Sequence, residues 1–307
     1  ETTHPLKSSI SVKLSALHPR YEVPQQGRCI PELTATLKQL CLEAQKVNID
    51  LTVDAEESER LELSLKIFEN VALDPDLKNW NGLGIAVQAY QKCATSVIDF
   101  LYDLAKRSNH RFNVRLVKGA YWDSEIKHAQ ELGLEDYPVF TRKNTTDVSY
   151  MVCAKKLLNH RDAFYPQFAT HNAQSVATIL ELAGPNKDFE FQCLFGMGQA
   201  LYNQLPQENY GVPIRIYAPV GIYKDLRPYL VRRLLENGAN SSFVNEVANE
   251  RIDVDMLVKN PLSVLEKCPE DEISHPAIQK PSGILPGRLN STGLDLTDAG
   301  ALKPIYK

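Results

Sequence analysis

Short runs of β-branched and apolar residues alternate along this chain with longer stretches of helical period. The run Ser9–Ser15 (SISVKLS) reads as a strand, and after an irregular connection Glu32–Lys46 reads as a helix. Asp50–Asp54 (DLTVD) is the next strand, with a helix over Ser58–Asn70. Gly84–Tyr90 (GIAVQAY) pairs with helix Thr95–Arg107, and Asn113–Gly119 (NVRLVKG) with helix Asp123–Gly133. An additional helix is predicted over Thr146–Asn159. Strands at Pro166–Thr170 (PQFAT), Phe189–Leu194 (FEFQCL) and Ile214–Tyr217 (IRIY) precede helices at Ala173–Leu182, Ala200–Leu205 and Asp225–Asn237.

Seven strand–helix units in succession predict a parallel sheet with helical crossovers, an α/β fold. The closest closed solution is a (β/α)8 TIM-type barrel, with its first strand lying upstream of Glu1. A doubly wound open sheet is the structural rival. Gly238 stands where a left-handed C-cap would end the last helix. From Asn260 onward the chain is rich in Pro and Gly and reads as an irregular tail. The expected organisation is therefore a barrel over residues 1–245 and, over 246–307, a tail that packs on the barrel or leads to another domain. The abrupt start, with a strand due almost at once, predicts a piece of a longer protein.

A barrel of this type carries its chemistry at the C-terminal ends of its strands. The polar residues there are Lys13, Asp54, Gln88, Arg115, Lys118, Thr170, His171 and Tyr217. Burying so many on one rim is costly unless they pair or hold a ligand. Four cationic or potentially cationic groups against one carboxylate suit an anionic ligand. The segment Asn113–Trp122 (NVRLVKGAYW) is the densest. There Arg115 and Val117 share one strand face, and Gly119 marks a close backbone approach. Lys118 and Trp122 suit a phosphate and a flat ring; the plainer alternative is a surface cation and a packing Trp. On the last helix Tyr229, Arg232, Arg233 and Glu236 share a face, opposite Leu226, Leu230, Leu234 and Leu235. Such a face fits a carboxylate, with Glu236 bracing an arginine. On helix spacing alone, a solvated face with a routine salt bridge is the favoured reading.

Bulk composition narrows the classes. The chain has 307 residues, 43% hydrophobic and 23% charged, and 34 basic against 38 acidic residues leave −4. That balance predicts no nucleic-acid footprint. Six cysteines without C-x-x-C pairing predict free thiols, a reducing cytoplasm and no metal site. No apolar run of about 18 residues exists to cross a membrane. Gly196 and Gly198 follow a strand, but Leu201 breaks the dinucleotide fingerprint. No Walker motif and no G-x-S-x-G elbow is present.

Eight strings carry a family resemblance: SVKLSALHPRY (Ser11–Tyr21), DAEES (Asp54–Ser58), VQAYQK (Val87–Lys92), RLVKGAYWDSEIK (Arg115–Lys127), FATHNAQS (Phe168–Ser175), FQCLFGMG (Phe191–Gly198), RIYAPVG (Arg215–Gly221) and YLVRRLLENGANSSFVN (Tyr229–Asn245). In content and order they resemble the proline dehydrogenase domain of the proline utilization A family, and GLDL (Gly293–Leu296) is similar too. The resemblance implies a distorted (β/α)8 barrel holding FAD. It also implies oxidation of L-proline to Δ1-pyrroline-5-carboxylate by hydride transfer from C5 to flavin N5, with electrons passed to a membrane quinone. A cytoplasmic protein, peripheral at the inner membrane, is expected. The family's larger members add an aldehyde dehydrogenase domain and an N-terminal helical region that sometimes binds DNA.

Carried residue by residue, the resemblance implies that Lys13, Arg232 and Arg233 bind the proline carboxylate. Tyr217, Tyr229 and Leu194 would enclose the pyrrolidine ring, and Asp54 would organise the pocket near Tyr121. Glu236 would brace the arginines. Gln88 and Arg115 would lie against the flavin, Arg115 stabilising its reduced form. Val117, Lys118, Gly119 and Trp122 would follow the rest of FAD, with Thr170 and His171 toward its adenosine half. Two other readings of the residues stand beside it. One is a barrel aldolase or lyase with Lys13 or Lys118 as a Schiff base; the other is a non-catalytic binding or assembly module.

Overall fold

The computed structural model describes residues 7–207, 210–238, 259–269 and 274–305. Its frame is one sheet of seven strands in the order of the sequence, every neighbouring pair parallel. The strands are β1 (Ser9–Val12), β2 (Asp50–Val53), β3 (Leu83–Gln88), β4 (Phe112–Val117), β5 (Phe164–Ala169), β6 (Glu190–Leu194) and β7 (Ile214–Tyr217). A doubly wound sheet would reverse its strand order partway, so that rival is excluded. The eighth strand of a full barrel is not among the described residues.

The register sorts every strand residue onto one of two faces. Ser11 aligns with Thr52, Thr52 with Gly84, Ala86 with Arg115, Arg115 with Gln167, and Gln192 with Arg215. Aligned residues of parallel strands point the same way, so these side chains share the concave interior. Ile85, Val87, Val114, Leu116, Phe168 and Phe191 occupy the alternate positions and belong to the main apolar core. The core is thus the layer between sheet and helices, and the inside of the curl is polar. Arg215 of β7 donates to the Lys7 carbonyl (2.5 Å) and to Ser9 Oγ (3.3 Å) on the β1 side. First and last strands are therefore one side chain apart, as a curled barrel requires.

The outer layer comprises α1 (Leu14–Leu17), α2 (Gln26–Lys46), α3 (Leu61–Ala72), α4 (Ala94–Ser108), α5 (Trp122–Leu132), α6 (Lys143–Asn159), α7 (Ala173–Ala183), α8 (Gln199–Gln207) and α9 (Tyr223–Gly238). Most differ from expectation by one or two residues at an end, as helix fraying produces. α3 and α6 start three residues from expectation, at Leu61 and Lys143, and three further differences bear on the fold. β1 stops at Val12 because Leu14 turns into the core as the first residue of α1. α2 starts six residues before the predicted Glu32 and contains Pro31; its stripe Cys29, Leu33, Leu37, Cys41 and Ala44 is buried. That burial outweighs the roughly 3 kcal/mol penalty of an interior proline. α9 includes Gly238 rather than ending before it.

The tail is tied to the barrel at several points. Tyr137 Oη donates to the Gln279 carbonyl (2.6 Å) and the Gly293 N–H to the Gly133 carbonyl (2.7 Å). A Cβ on Gly293 would lie 1.8 Å from the Leu132 carbonyl oxygen, so only glycine fits against the end of α5.

Candidate active site at the barrel mouth

Arg115 is the centre of the site. It lies on the inward face of β4 and is 8% exposed. Its guanidinium donates to Asp54 Oδ1 beyond β2, to Gln192 Oε1 on β6 and to Ser11 Oγ on β1, each at 2.7 Å. Its fourth neighbour is the Tyr217 ring on β7, 5.7 Å from Cζ. One rigid fork thus joins four strands across the interior. Gln192 is oriented from below: its Nε2 donates to Glu190 Oε1 (2.7 Å), which leaves Oε1 to face Arg115. Glu190 in turn holds Arg215 through both carboxylate oxygens, at 2.6 and 2.9 Å.

A second group stands beside the first. Lys13 Nζ donates to Tyr121 Oη (2.6 Å) and lies 5.3 Å from the centre of that ring. Burial by itself lowers the Lys13 ammonium, but Tyr121, with Asp54 and Glu56, outweighs it and the net shift is upward. Gln88 Nε2 donates to the Glu56 carbonyl (2.9 Å), and its Oε1 accepts the Ala120 N–H (3.2 Å). The Ser15 N–H reaches Glu56 Oε1 (3.0 Å), closing a circuit through Gln88 on β3 and the segments that follow β1, β2 and β4.

The remaining predicted residues lie on the strand ends and on the segments and helices that follow them. Val117 and Leu194 take inward positions, aligned with Gln88 and Tyr217. Lys118 turns away from the barrel axis onto α6, where it pairs with Asp147 beside the Tyr150 ring. Trp122 opens α5; its indole N–H donates to the Phe140 carbonyl (2.9 Å) and it packs on a second cluster with Tyr90 and Ile126. Gly119 does make a close approach, and the Tyr90 ring is what it meets: with φ +150°, a Cβ there would sit 2.3 Å from Tyr90 Cγ. Thr170 is buried, its hydroxyl accepting the Asn172 N–H (3.2 Å). His171 Nε2 accepts the Leu194 N–H (3.2 Å). Burial, then the charge of Arg233, pushes its pKa down, so the ring is neutral with its proton on Nδ1. Arg233 lies over the Tyr229 ring, 5.3 Å from its centre. The side chains of Arg232, Leu234, Leu235 and Glu236 lie outside the described residues; Leu230 on the expected apolar face is exposed.

The expected excess of cations on the rim is thereby corrected. Arg115 is matched by Asp54, Lys118 by Asp147, and His171 is neutral. Lys13 is hydrogen-bonded to the Tyr121 hydroxyl rather than salt-bridged to a carboxylate, and is the better candidate for an anionic group.

The comparisons with known proteins agree with this architecture. A profile of the proline dehydrogenase family matches residues 1–246. This chain belongs to the proline dehydrogenase family. Within it, the bifunctional protein PutA of Salmonella typhimurium is 53% identical over 301 residues, which cover 94% of this chain and 23% of that protein. Proline dehydrogenase 1 of Bacillus subtilis is 28% identical over 247 residues, 78% of this chain and 70% of its own length. The crystal structure of a PutA mutant from Bradyrhizobium japonicum matches with a TM-score of 0.93 at 50% identity, covering 97% of this chain and 30% of that one. The chain thus spans about a quarter of the PutA proteins it matches. This proline dehydrogenase barrel was readable in its strand–helix rhythm, but Ser11, Gln192, Glu190 and Arg215 were missed. Their signal was present: in FEFQCL the polar Glu190 and Gln192 alternate with Phe189, Phe191 and Cys193.

Proposed function

We propose that this chain is the L-proline-oxidising domain of a larger proline-catabolic protein, using FAD and delivering electrons to a membrane quinone. The observation that carries the reading is the Arg115 fork beneath Tyr217, beside the Lys13–Tyr121 pair, in a chain of the proline dehydrogenase family. A buried cation, inward apolar residues at Val117 and Leu194 and aromatic walls at Tyr121 and Tyr217 form a donor set that fits a flavin and a small amino acid. The proposed flavin neighbours are Gln88, Arg115, Val117, Lys118, Gly119, Trp122, Thr170 and His171. Bound FAD would accept the hydride from C5 of proline at N5.

The chain's own residues do the rest. Lys13, Arg232 and Arg233 hold the carboxylate, and Glu236 braces the arginines. Tyr217, Tyr229 and Leu194 confine the ring, which must keep its reacting carbon at near-attack distance. Asp54 keeps Arg115 in one orientation. The further domain of the parent is read as an aldehyde dehydrogenase, and the protein as cytoplasmic and peripheral at the inner membrane. The Schiff-base alternative is disfavoured because Lys13 is held protonated and Lys118 is salt-bridged.

A dye-coupled assay with L-proline, its cyclic imine product trapped chemically, tests the activity; no product would overturn it. In the same assay Arg233→Met is expected to raise KM about ten- to hundredfold, the loss of one charge-assisted pair. An unchanged KM would remove Arg233 from the carboxylate site.

A further inference from the structure

Glu125 has no part in the chemistry proposed above, yet it is a carboxylic acid only 4% exposed. It stands in the first turn of α5, where a side chain ordinarily reaches water. Instead it points inward. Its Oε1 accepts the Ser58 N–H (2.7 Å) and the Tyr90 hydroxyl (3.3 Å), and its Oε2 accepts the Ser58 hydroxyl (2.5 Å). Burial raises its pKa against the pull of those donors. An ionisable group buried at such cost is there for what it connects.

What it connects are the two segments that carry the site. Ser58 ends the segment that leaves β2 through Asp54, and the backbone N–H of Asp54 is itself fixed to the Val12 carbonyl (2.9 Å). α5 begins directly after Gly119 and Tyr121, and the Tyr90 ring that Glu125 also touches is the one packed on Gly119. The same two segments meet nearer the axis through Gln88, which spans from the Glu56 carbonyl to the Ala120 N–H. They are therefore braced at two depths: inside by an amide on β3, outside by Glu125 directly.

We propose that Glu125 is a positioning residue for the substrate site. It fixes the segment Asp54–Ser58 against Gly119–Trp122, so that Asp54 meets Arg115 and Tyr121 meets Lys13. The inference rests on reading the barrel mouth as the proline-oxidising site.

The test compares Glu125→Gln, Glu125→Ala and Ser58→Ala in the full chain, with kcat/KM for L-proline and amide hydrogen exchange as readouts. Glutamine can keep the link: its oxygen accepts from Ser58 N–H and Tyr90, and its NH2 donates to a reoriented Ser58 hydroxyl. It should stay within about threefold of wild type, while alanine loses about twentyfold or more and Ser58→Ala about three- to tenfold. Adding Ser58→Ala to Glu125→Ala should cost little more, since both remove one link. Exchange should quicken in both 54–60 and 119–122 for Glu125→Ala, and in neither for Glu125→Gln. A merely structural role would lower the melting temperature of Glu125→Ala and leave kcat/KM unchanged, which overturns the proposal; so would glutamine behaving as badly as alanine. Should Glu125→Ala not fold, an unchanged kcat/KM in Ser58→Ala overturns it alone. If wild-type protein fails to oxidise L-proline, the functional reading falls, and exchange quickening in one segment only still refutes the brace.

Discussion

Arg115→Met is expected to lower kcat/KM for L-proline on the order of a hundredfold, the loss that follows removal of one preorganised charge stabiliser from an active site. Methionine fills similar space, so the effect is chemical. Asp54, Gln192 and Ser11 each lose a 2.7 Å donor. Gln192 is 1% exposed and cannot turn to water for a replacement. Arg115→Lys should recover only part of the loss, because an ammonium restores charge but cannot serve three acceptors from one plane. Steady-state kinetics check the prediction; an Arg115→Met enzyme within threefold of wild type would contradict the role given to the fork.

The largest stability effect is expected one layer below. Arg215→Met leaves Glu190, fully buried, without its cation. Breaking a buried pair from one side costs about 3–5 kcal/mol, because the remaining charge stays desolvated. Arg215 also donates to the Lys7 carbonyl and Ser9 Oγ, so its loss opens the seam between β7 and β1. Urea unfolding should report the drop. Combining Arg215→Met with Glu190→Leu should recover much of it, since no charge is then stranded. A single variant as stable as wild type, or a double variant worse than Arg215→Met, would show that the pair is not what holds the layer.

The strand–helix alternation located all seven strands, because each outward-facing set, such as Val114 and Leu116 or Phe168 and Phe191, is a compact apolar signal. It also put Arg115 and Val117 on one face. Two partners of Arg115 were not legible: Ser11 and Gln192 lie on strands distant in sequence, and only the register brings them to one depth. The charge count at the rim misled for the same reason. Asp147, which neutralises Lys118, sits on α6 and not at a strand end. Gly119 was correctly marked as a close approach, but its neighbour, the Tyr90 ring, comes from the end of another strand. Glu125 gave no signal at all, since an acidic residue in a first helical turn is ordinary and only the fold reveals that it faces inward.

Under the proposed function, the Arg115 fork and the Lys13–Tyr121 pair frame a site where a bound flavin takes a hydride from L-proline. The decisive measurement is an anaerobic absorbance titration of the purified, FAD-loaded protein. The visible band of the oxidised flavin is expected to bleach as L-proline is added, and Arg115→Met is expected to slow the bleaching. Protein that takes up no FAD, or a flavin whose band is unchanged by saturating L-proline, would contradict that function.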